Sequence, residues 1–226
     1  RDPHGHTIIM TFTPHTILKN TCRVTFNLHT HTYACEINRS TDVPRFCVAA
    51  TQLQNCAPYV KTWIEYHMSI GVEHFYIYDN NSRDSETLKR NLAPYPVTYI
   101  QWPYPYGIPK NSGLSGQTCA QNHALYRYDH SFVALTDVDE YIYSTKSSLL
   151  SALQNVDIKT HSGILMCCQW FGCSNREIYT SEDFLEKLVY RKETPQTHKV
   201  GHGPKSIVCP RAVDVFSVHR VSKGLP

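Results

Sequence analysis

Between Arg45 and Thr136, short apolar runs alternate with stretches of helical periodicity, and no other feature of the sequence restricts the fold as strongly. Phe46-Cys47-Val48-Ala49-Ala50, Phe75-Tyr76-Ile77-Tyr78, Val97 to Gln101 and Phe132-Val133-Ala134-Leu135-Thr136 have the length and β-branched or aromatic content of buried strands. Pro58 to Met68 lies between the first two. There Tyr59, Val60, Trp63, Ile64 and His67 recur at three and four, Pro58 suits a first turn and Gly71 ends the pattern. Helices are likewise expected at Ser85 to Leu92, stopped by Pro94 and Pro96, and at Gln117 to Tyr128. The proline- and glycine-rich Trp102 to Gly113 reads as a long loop. Strands separated by helices of this length require crossovers, hence a mostly parallel sheet in an α/β fold with helices on its faces. Ligands of such sheets bind beyond the carboxyl ends of the strands, which selects the polar residues that matter.

Composition removes several alternatives. The 226 residues carry 22 Lys+Arg against 19 Asp+Glu, a formal charge of +3 with no long basic run, which argues against a nucleic-acid binder. No apolar stretch reaches the roughly 20 residues of a spanning helix. Ile164 to Cys168 is short and strand-like. Aromatic residues at 12% exclude a disordered chain. Residues 1–44 differ from the rest: rich in histidine and threonine, they alternate in Thr7 to Phe12 and Cys22 to Leu28 as strands do. His29 and His31 would share a face of such a strand, as metal ligands or as solvent-facing polar residues. The domains are accordingly placed at 1–44, a β-rich segment, and 45–226. Nine cysteines without a C-x-x-C pair suggest disulfides ahead of buried free thiols, with zinc at Cys167, Cys168 and Cys173 behind both. Asn38-Arg39-Ser40 and Asn80-Asn81-Ser82 match the N-glycosylation sequon. A chain that starts at Arg1 without a signal-peptide pattern is expected to be a fragment or a processed ectodomain.

The strongest chemical signal is Asp137-Val138-Asp139-Glu140, directly after the fourth strand. Three carboxylates in four residues repel one another unless positive charge stands among them. Asp137 and Asp139, two apart in extended chain, project to one side and could share a hard divalent cation. A cation so held can bridge a diphosphate and stabilise a leaving group. A solvated acidic turn opening a helix, with Glu140 near its N-terminus, would give the same letters.

Further blocks stand in a fixed order from residue 45 to about 220. They are Trp63-Ile64-Glu65-Tyr66-His67, the run from Gly71 through His74-Phe75-Tyr76-Ile77-Tyr78 to Asp79-Asn80-Asn81-Ser82, Gln117 with Asn122, Thr136 to Glu140, Trp170-Phe171-Gly172, and Lys205-Ser206-Ile207-Val208 followed by His219. In that order they resemble glycosyltransferase family 92, formerly domain of unknown function 23. The resemblance implies a GT-A type fold and an inverting, metal-dependent transfer of a hexose, typically galactose from UDP-galactose, to a glycan acceptor. Mn²⁺ is the implied cofactor, with Mg²⁺ as the alternative. It further implies a type II membrane protein of the Golgi lumen that works in glycan biosynthesis, anchored outside this stretch. A homodimer is compatible with it. The N-terminal segment would then be the remnant of an accessory module or a leader.

Residue roles follow from the resemblance. Asp137 and Asp139 form the D-x-D pair on the metal, with His219 as the late histidine completing the coordination. Thr51, Gln52 and Asp79 would meet the uracil and ribose, although Asp79-Asn80 is also a good turn sequence. Gln117 and Asn122 are donor-sugar candidates, and Gln117 at the helix start is the better placed. Lys205 would offset phosphate charge, or be a surface lysine. The family places the general base after the strand ending in Trp170-Phe171-Gly172. Glu177 is the first carboxylate there, while Glu182 and Asp183 resemble first-turn residues capped by Ser181. Trp170 and Phe171 offer a stacking face for a sugar or pack in the core. Two other functions remain open: a Mg²⁺-dependent phosphodiester or pyrophosphate hydrolase using the same acids, and a non-catalytic nucleotide-sugar- or glycan-binding relative.

Overall fold

The computed structural model describes residues 21–28, 31–38, 45–104, 106, 116–127, 130–144, 148–172, 188, 190–191, 204–217 and 219–225. The chain divides into two compact units, Arg1–Val43 and Pro44–Pro226. In the first, β1 (Thr21–Leu28) and β2 (His31–Asn38) form an antiparallel hairpin in register from Thr21 opposite Asn38 to Leu28 opposite His31. Because β1 stops at Leu28 and His31 opens β2, the strand expected at Cys22 to Leu28 does not continue to His31. The expected strand at Thr7 to Phe12, and His29, lie outside the described residues.

The second unit is built on a six-stranded sheet. Its strands are β3 (Cys47–Leu53), β4 (His74–Asp79), β5 (Val97–Gln101), β6 (Phe132–Leu135), β7 (Gly163–Met166) and β10 (Lys205–Val208), in the order β5-β4-β3-β6-β10-β7. The pairs β5–β4, β4–β3 and β3–β6 are parallel, while β10 runs antiparallel to both β6 and β7. This is the expected α/β architecture with a mostly parallel central sheet. All seven residues of β3 are buried, as a strand between parallel neighbours with both faces covered must be. Along β4, Phe75 and Ile77 join one core cluster and Tyr76 and Tyr78 the other, the alternation of a pleated strand.

The helices α1 (Ala57–Ser69), α2 (Ser85–Leu92) and α3 (Gly116–Arg127) lie close to their expected positions, and a short fourth, α4 (Leu149–Gln154), was not expected. Burial of Ala57, Val60, Trp63, Ile64 and His67 gives α1 one packed stripe, and Pro58 occupies its first turn. Its first amide, at Ala57, donates to the Asp84 carboxylate at 3.1 Å, so the cap comes from the segment before α2. Gly71 follows at φ +103°, and a Cβ there would meet Leu150 at 2.7 Å.

After Glu140 no helix begins, contrary to the alternative reading of the acidic segment; residues 140–144 are irregular. β7 ends at Met166, and Phe171–Gly172 form a separate short strand, β8, paired with β9 (Tyr190–Arg191). The strand expected to end at Gly172 is therefore interrupted. A last hairpin joins β11 (Val213–Ser217) to β12 (Arg220–Gly224). Cys47, Cys56, Cys119, Cys167 and Cys209 are free thiols, so the disulfide expectation is not met at these five positions. Burial and the nearby Glu73 charge push the Cys47 thiol up to about 12, an inert group. No helix among the described residues is long and apolar enough to cross a membrane.

Candidate functional site

From β3 the chain winds outward through β4 to β5, then returns to place β6 on the other side of β3. Such a reversal opens a crevice at the carboxyl ends of the two strands. Thr51 and Gln52 near the end of β3, and Thr136-Asp137 just past β6, stand there. Because β10 is antiparallel to β6, with Ser206 opposite Leu135, its first residue, Lys205, is delivered to the same end.

The acidic segment folds back on itself. The Glu140 amide donates to the Asp137 carbonyl at 3.1 Å, and the Asp137 amide donates to Glu140 Oε2 at 2.9 Å. Lys205, whose side chain is only 7% exposed, spans the turn: its Nζ is 2.6 Å from Asp137 Oδ2 and 3.1 Å from Glu140 Oε2. Gln117 Nε2 donates to Asp137 Oδ1 at 2.9 Å, so both oxygens of that carboxylate are engaged. Tyr106 in turn donates to Gln117 Oε1 at 3.3 Å. Burial alone would pull the Lys205 ammonium down, but Glu140 and Asp137 together outweigh it and hold it above its ordinary value. Glu140 is raised by burial and by Asp137, against the opposing pull of Lys205. Asp139 is the exposed carboxylate of the three, raised by partial desolvation first and by Asp137 second. Three carboxylates against one ammonium leave two negative charges in excess.

Beside this turn lies a cleft of about 480 Å³, bordered by Gln52, Leu53 and Gln54, the start of α1 at Cys56 and Tyr59, Asn80, Tyr106, and Asp137 to Asp139. A smaller recess adjoins it, lined by Thr51, Gln52, Tyr78, Gln117, Gln121, Thr136 and Asp137. Thr51 Oγ1, Thr136 Oγ1 and both amide atoms of Gln52 are buried without a hydrogen-bond partner. Each such group costs about 1–3 kcal/mol, so this crevice favours a polar ligand that satisfies them.

The expected residues divide accordingly. Thr51, Gln52, Gln117, Asp137, Asp139 and Lys205 share the crevice. Lys205 is 5% exposed, which removes the surface-lysine reading. Asp79 does not open onto the cleft: it is 1% exposed, and its oxygens accept from the Ser82 amide and the Tyr99 hydroxyl. It shapes the turn after β4. Asn122 is a brace between α3 and β11, donating to the Thr118 and Phe216 carbonyls and accepting from the Phe216 amide. His219 is half-buried, and its carbonyl accepts from the hydroxyl of Ser206, the neighbour of Lys205. Glu177, Ser181, Glu182, Asp183 and Cys173 lie outside the described residues. Asn80 is buried, with its amide donating to the Trp102 and Tyr104 carbonyls, and so is no accessible glycosylation acceptor. Trp170 and Phe171 are about half exposed rather than packed in the core. Sequence reasoning gave Glu140 no binding partner; its pairing with Lys205 depends on a strand about 65 residues away.

For a divalent cation the donors are hard oxygens, which suits Mn²⁺ or Mg²⁺. Among the described residues no three His, Cys, Asp or Glu side chains gather into a closed cage. Asp139 and Asp137 are the two side chains that would hold such a cation.

A mostly parallel α/β sheet with an acidic turn at its switch point defines the class: an α/β protein built to bind a polar ligand. The model of glycosyltransferase family 92 matches residues 45–226, and the chain belongs to that family. It is 31% identical over 175 residues to a family 92 protein of Oryza sativa subsp. japonica, covering 74% of this chain and 27% of that protein. A family 92 protein of Ricinus communis is 30% identical over 181 residues, covering 74% and 29%. The chain thus spans less than a third of the length of the relatives it matches. Among solved structures it is similar to S. aureus TarS in complex with UDP, at 18% identity and a TM-score of 0.43, covering 75% of this chain and 48% of that one.

Proposed function

We propose that the second unit is the donor-handling part of an inverting, divalent-metal-dependent glycosyltransferase that moves galactose from UDP-galactose to a glycan acceptor. Family membership supports the transfer class. The observation that carries the reading is the crevice itself, where an exposed Asp139 shares the cleft with Gln52 and the adjoining recess holds Thr51, both with buried, unpartnered polar atoms. Those groups suit the edges of a nucleoside. Asp139 and Asp137 would hold Mn²⁺, or Mg²⁺, which supplies positive charge beside the diphosphate when bound. His219 is proposed as a further ligand on the family resemblance alone.

Transfer joins an acceptor hydroxyl oxygen to the anomeric carbon as the bond from that carbon to the diphosphate breaks, and UDP departs with the electron pair. The hydroxyl proton passes to a carboxylate base, for which Glu177 is proposed. Within the described site, Gln117 and Lys205 fix the Asp137 carboxylate, and Lys205 keeps the turn from being forced apart by its own charge. Placement in the Golgi lumen, an anchor elsewhere in the full-length protein and a homodimer go with the reading through the family resemblance only.

A thermal-shift screen of nucleotide sugars with Mn²⁺ tests it. UDP-galactose should raise the melting temperature more than GDP or ADP sugars do; saturation at about 100 times Kd adds about 2.7 kcal/mol. No shift with any nucleotide sugar, with or without Mn²⁺, would overturn the proposal. A shift without transfer would favour the non-catalytic relative.

A further inference from the structure

Three side chains of α1 meet one short stretch of backbone that follows β6. Trp63 Nε1 donates to the Glu140 carbonyl at 2.9 Å, and the Tyr66 hydroxyl donates to the Ile142 carbonyl at 2.8 Å. The Ile142 amide donates to His67 Nε2 at 3.3 Å. His67 Nδ1 is 2.7 Å from the Trp63 carbonyl, to which it donates, and this fixes Nε2 as the acceptor for Ile142. Positions 63, 66 and 67 lie on one helix face, so a rigid element presents all three groups together. The Tyr141 ring fills the space between them, stacked on His67 and edge-on to Tyr66.

Their target has no sheet or helix of its own. β6 ends at Leu135, and residues 140–144 are irregular, so ladder hydrogen bonds do not hold them. Val138 and Ile142 are buried in the same core cluster as Trp63, which pins the segment at two apolar points. Between these points stand Asp139 and Glu140. We infer that Trp63, Tyr66 and His67 are positioning residues that set where the acidic turn holds its carboxylates, so that these three side chains tune cation and diphosphate binding without themselves lining the cleft. What the turn binds rests on the function proposed above; the placement of the turn by α1 does not.

The test uses the full chain and two readouts. Tyr66→Phe removes one hydroxyl at a partly exposed site, and Trp63→Phe removes the indole donor. Tyr95→Phe is the control: its hydroxyl bonds Glu65 of the same helix but not the acidic turn. Hydrogen exchange of the 138–142 amides should accelerate in Tyr66→Phe and Trp63→Phe and not in Tyr95→Phe. Mn²⁺-dependent UDP affinity, measured by calorimetry, should fall about fivefold, the equivalent of one lost hydrogen bond, in the first two only. Unchanged exchange at 138–142 in both variants would overturn the inference. So would wild-type Mn²⁺–UDP affinity in variants whose melting temperature has dropped, because that is what a purely structural role predicts. Absence of Mn²⁺–UDP binding in the wild type would defeat the proposed function while the exchange data still decide the role of α1.

Discussion

Carboxylates crowded at a strand end need a cation of their own or a ligand's, and Lys205 supplies the first. Its stem is buried and its ammonium lies within 3.1 Å of two of the three acids. Lys205→Met keeps the stem and removes the charge. Because Asp137 and Glu140 are about one third exposed, the expected loss is about 1–3 kcal/mol in urea denaturation, below the figure for fully buried pairs. Mn²⁺ should restore more stability to this variant than to the wild type, since it neutralises charge the lysine no longer balances. The acidic turn was legible because three like charges after an apolar run are improbable without a partner. The fate of Asp79 and Asn122 was not. Short polar side chains at strand and helix ends serve turns and braces as readily as ligands, and only the Tyr99 and Phe216 contacts decide between the two.

Among the elements, α1 carries the clearest pH signature. Burial lowers His67 from 6.5 to about 4, partly opposed by its bond to the Trp63 carbonyl. Between those values the unfolded chain binds the proton and the folded chain does not, so stability is full above pH 6.5 and falls as the pH drops toward 4. The contribution is about 3 kcal/mol. His67→Gln should flatten this part of the stability profile, as measured by urea unfolding at a series of pH values. At Gly163 the backbone has φ +155°, and a Cβ would stand 2.0 Å from the Ile207 carbonyl of β10. Gly163→Ala is therefore expected to cost about 2 kcal/mol or more, seen as a lowered melting temperature. The parallel strands and α1 to α3 could be read from the sequence because each announces itself locally by period and punctuation. β10 could not, because a four-residue strand inserted antiparallel between β6 and β7 is specified by its partners. The same holds for β8 and β9, two residues each.

For the whole molecule, both described core clusters lie from Phe46 onward, and the family match begins at residue 45. A chain starting at Pro44 should unfold in one cooperative transition and keep the near-UV signal of the fully buried Trp63. Loss of that signal on truncation would show that this core is not self-sufficient. The +3 net charge says little about such a molecule, since its chemistry sits in a local surplus of negative charge that the fold only partly balances by bringing Lys205 to it. The central claim is that the acidic turn binds a donor diphosphate through a divalent cation. Calorimetric titration of UDP into the wild type and Asp139→Asn, each with Mn²⁺ and with a chelator, tests it most directly. Wild-type binding should require Mn²⁺ and weaken at least about tenfold, about 1.4 kcal/mol, in the variant. Equal affinity in both proteins, or in the presence of the chelator, would contradict it.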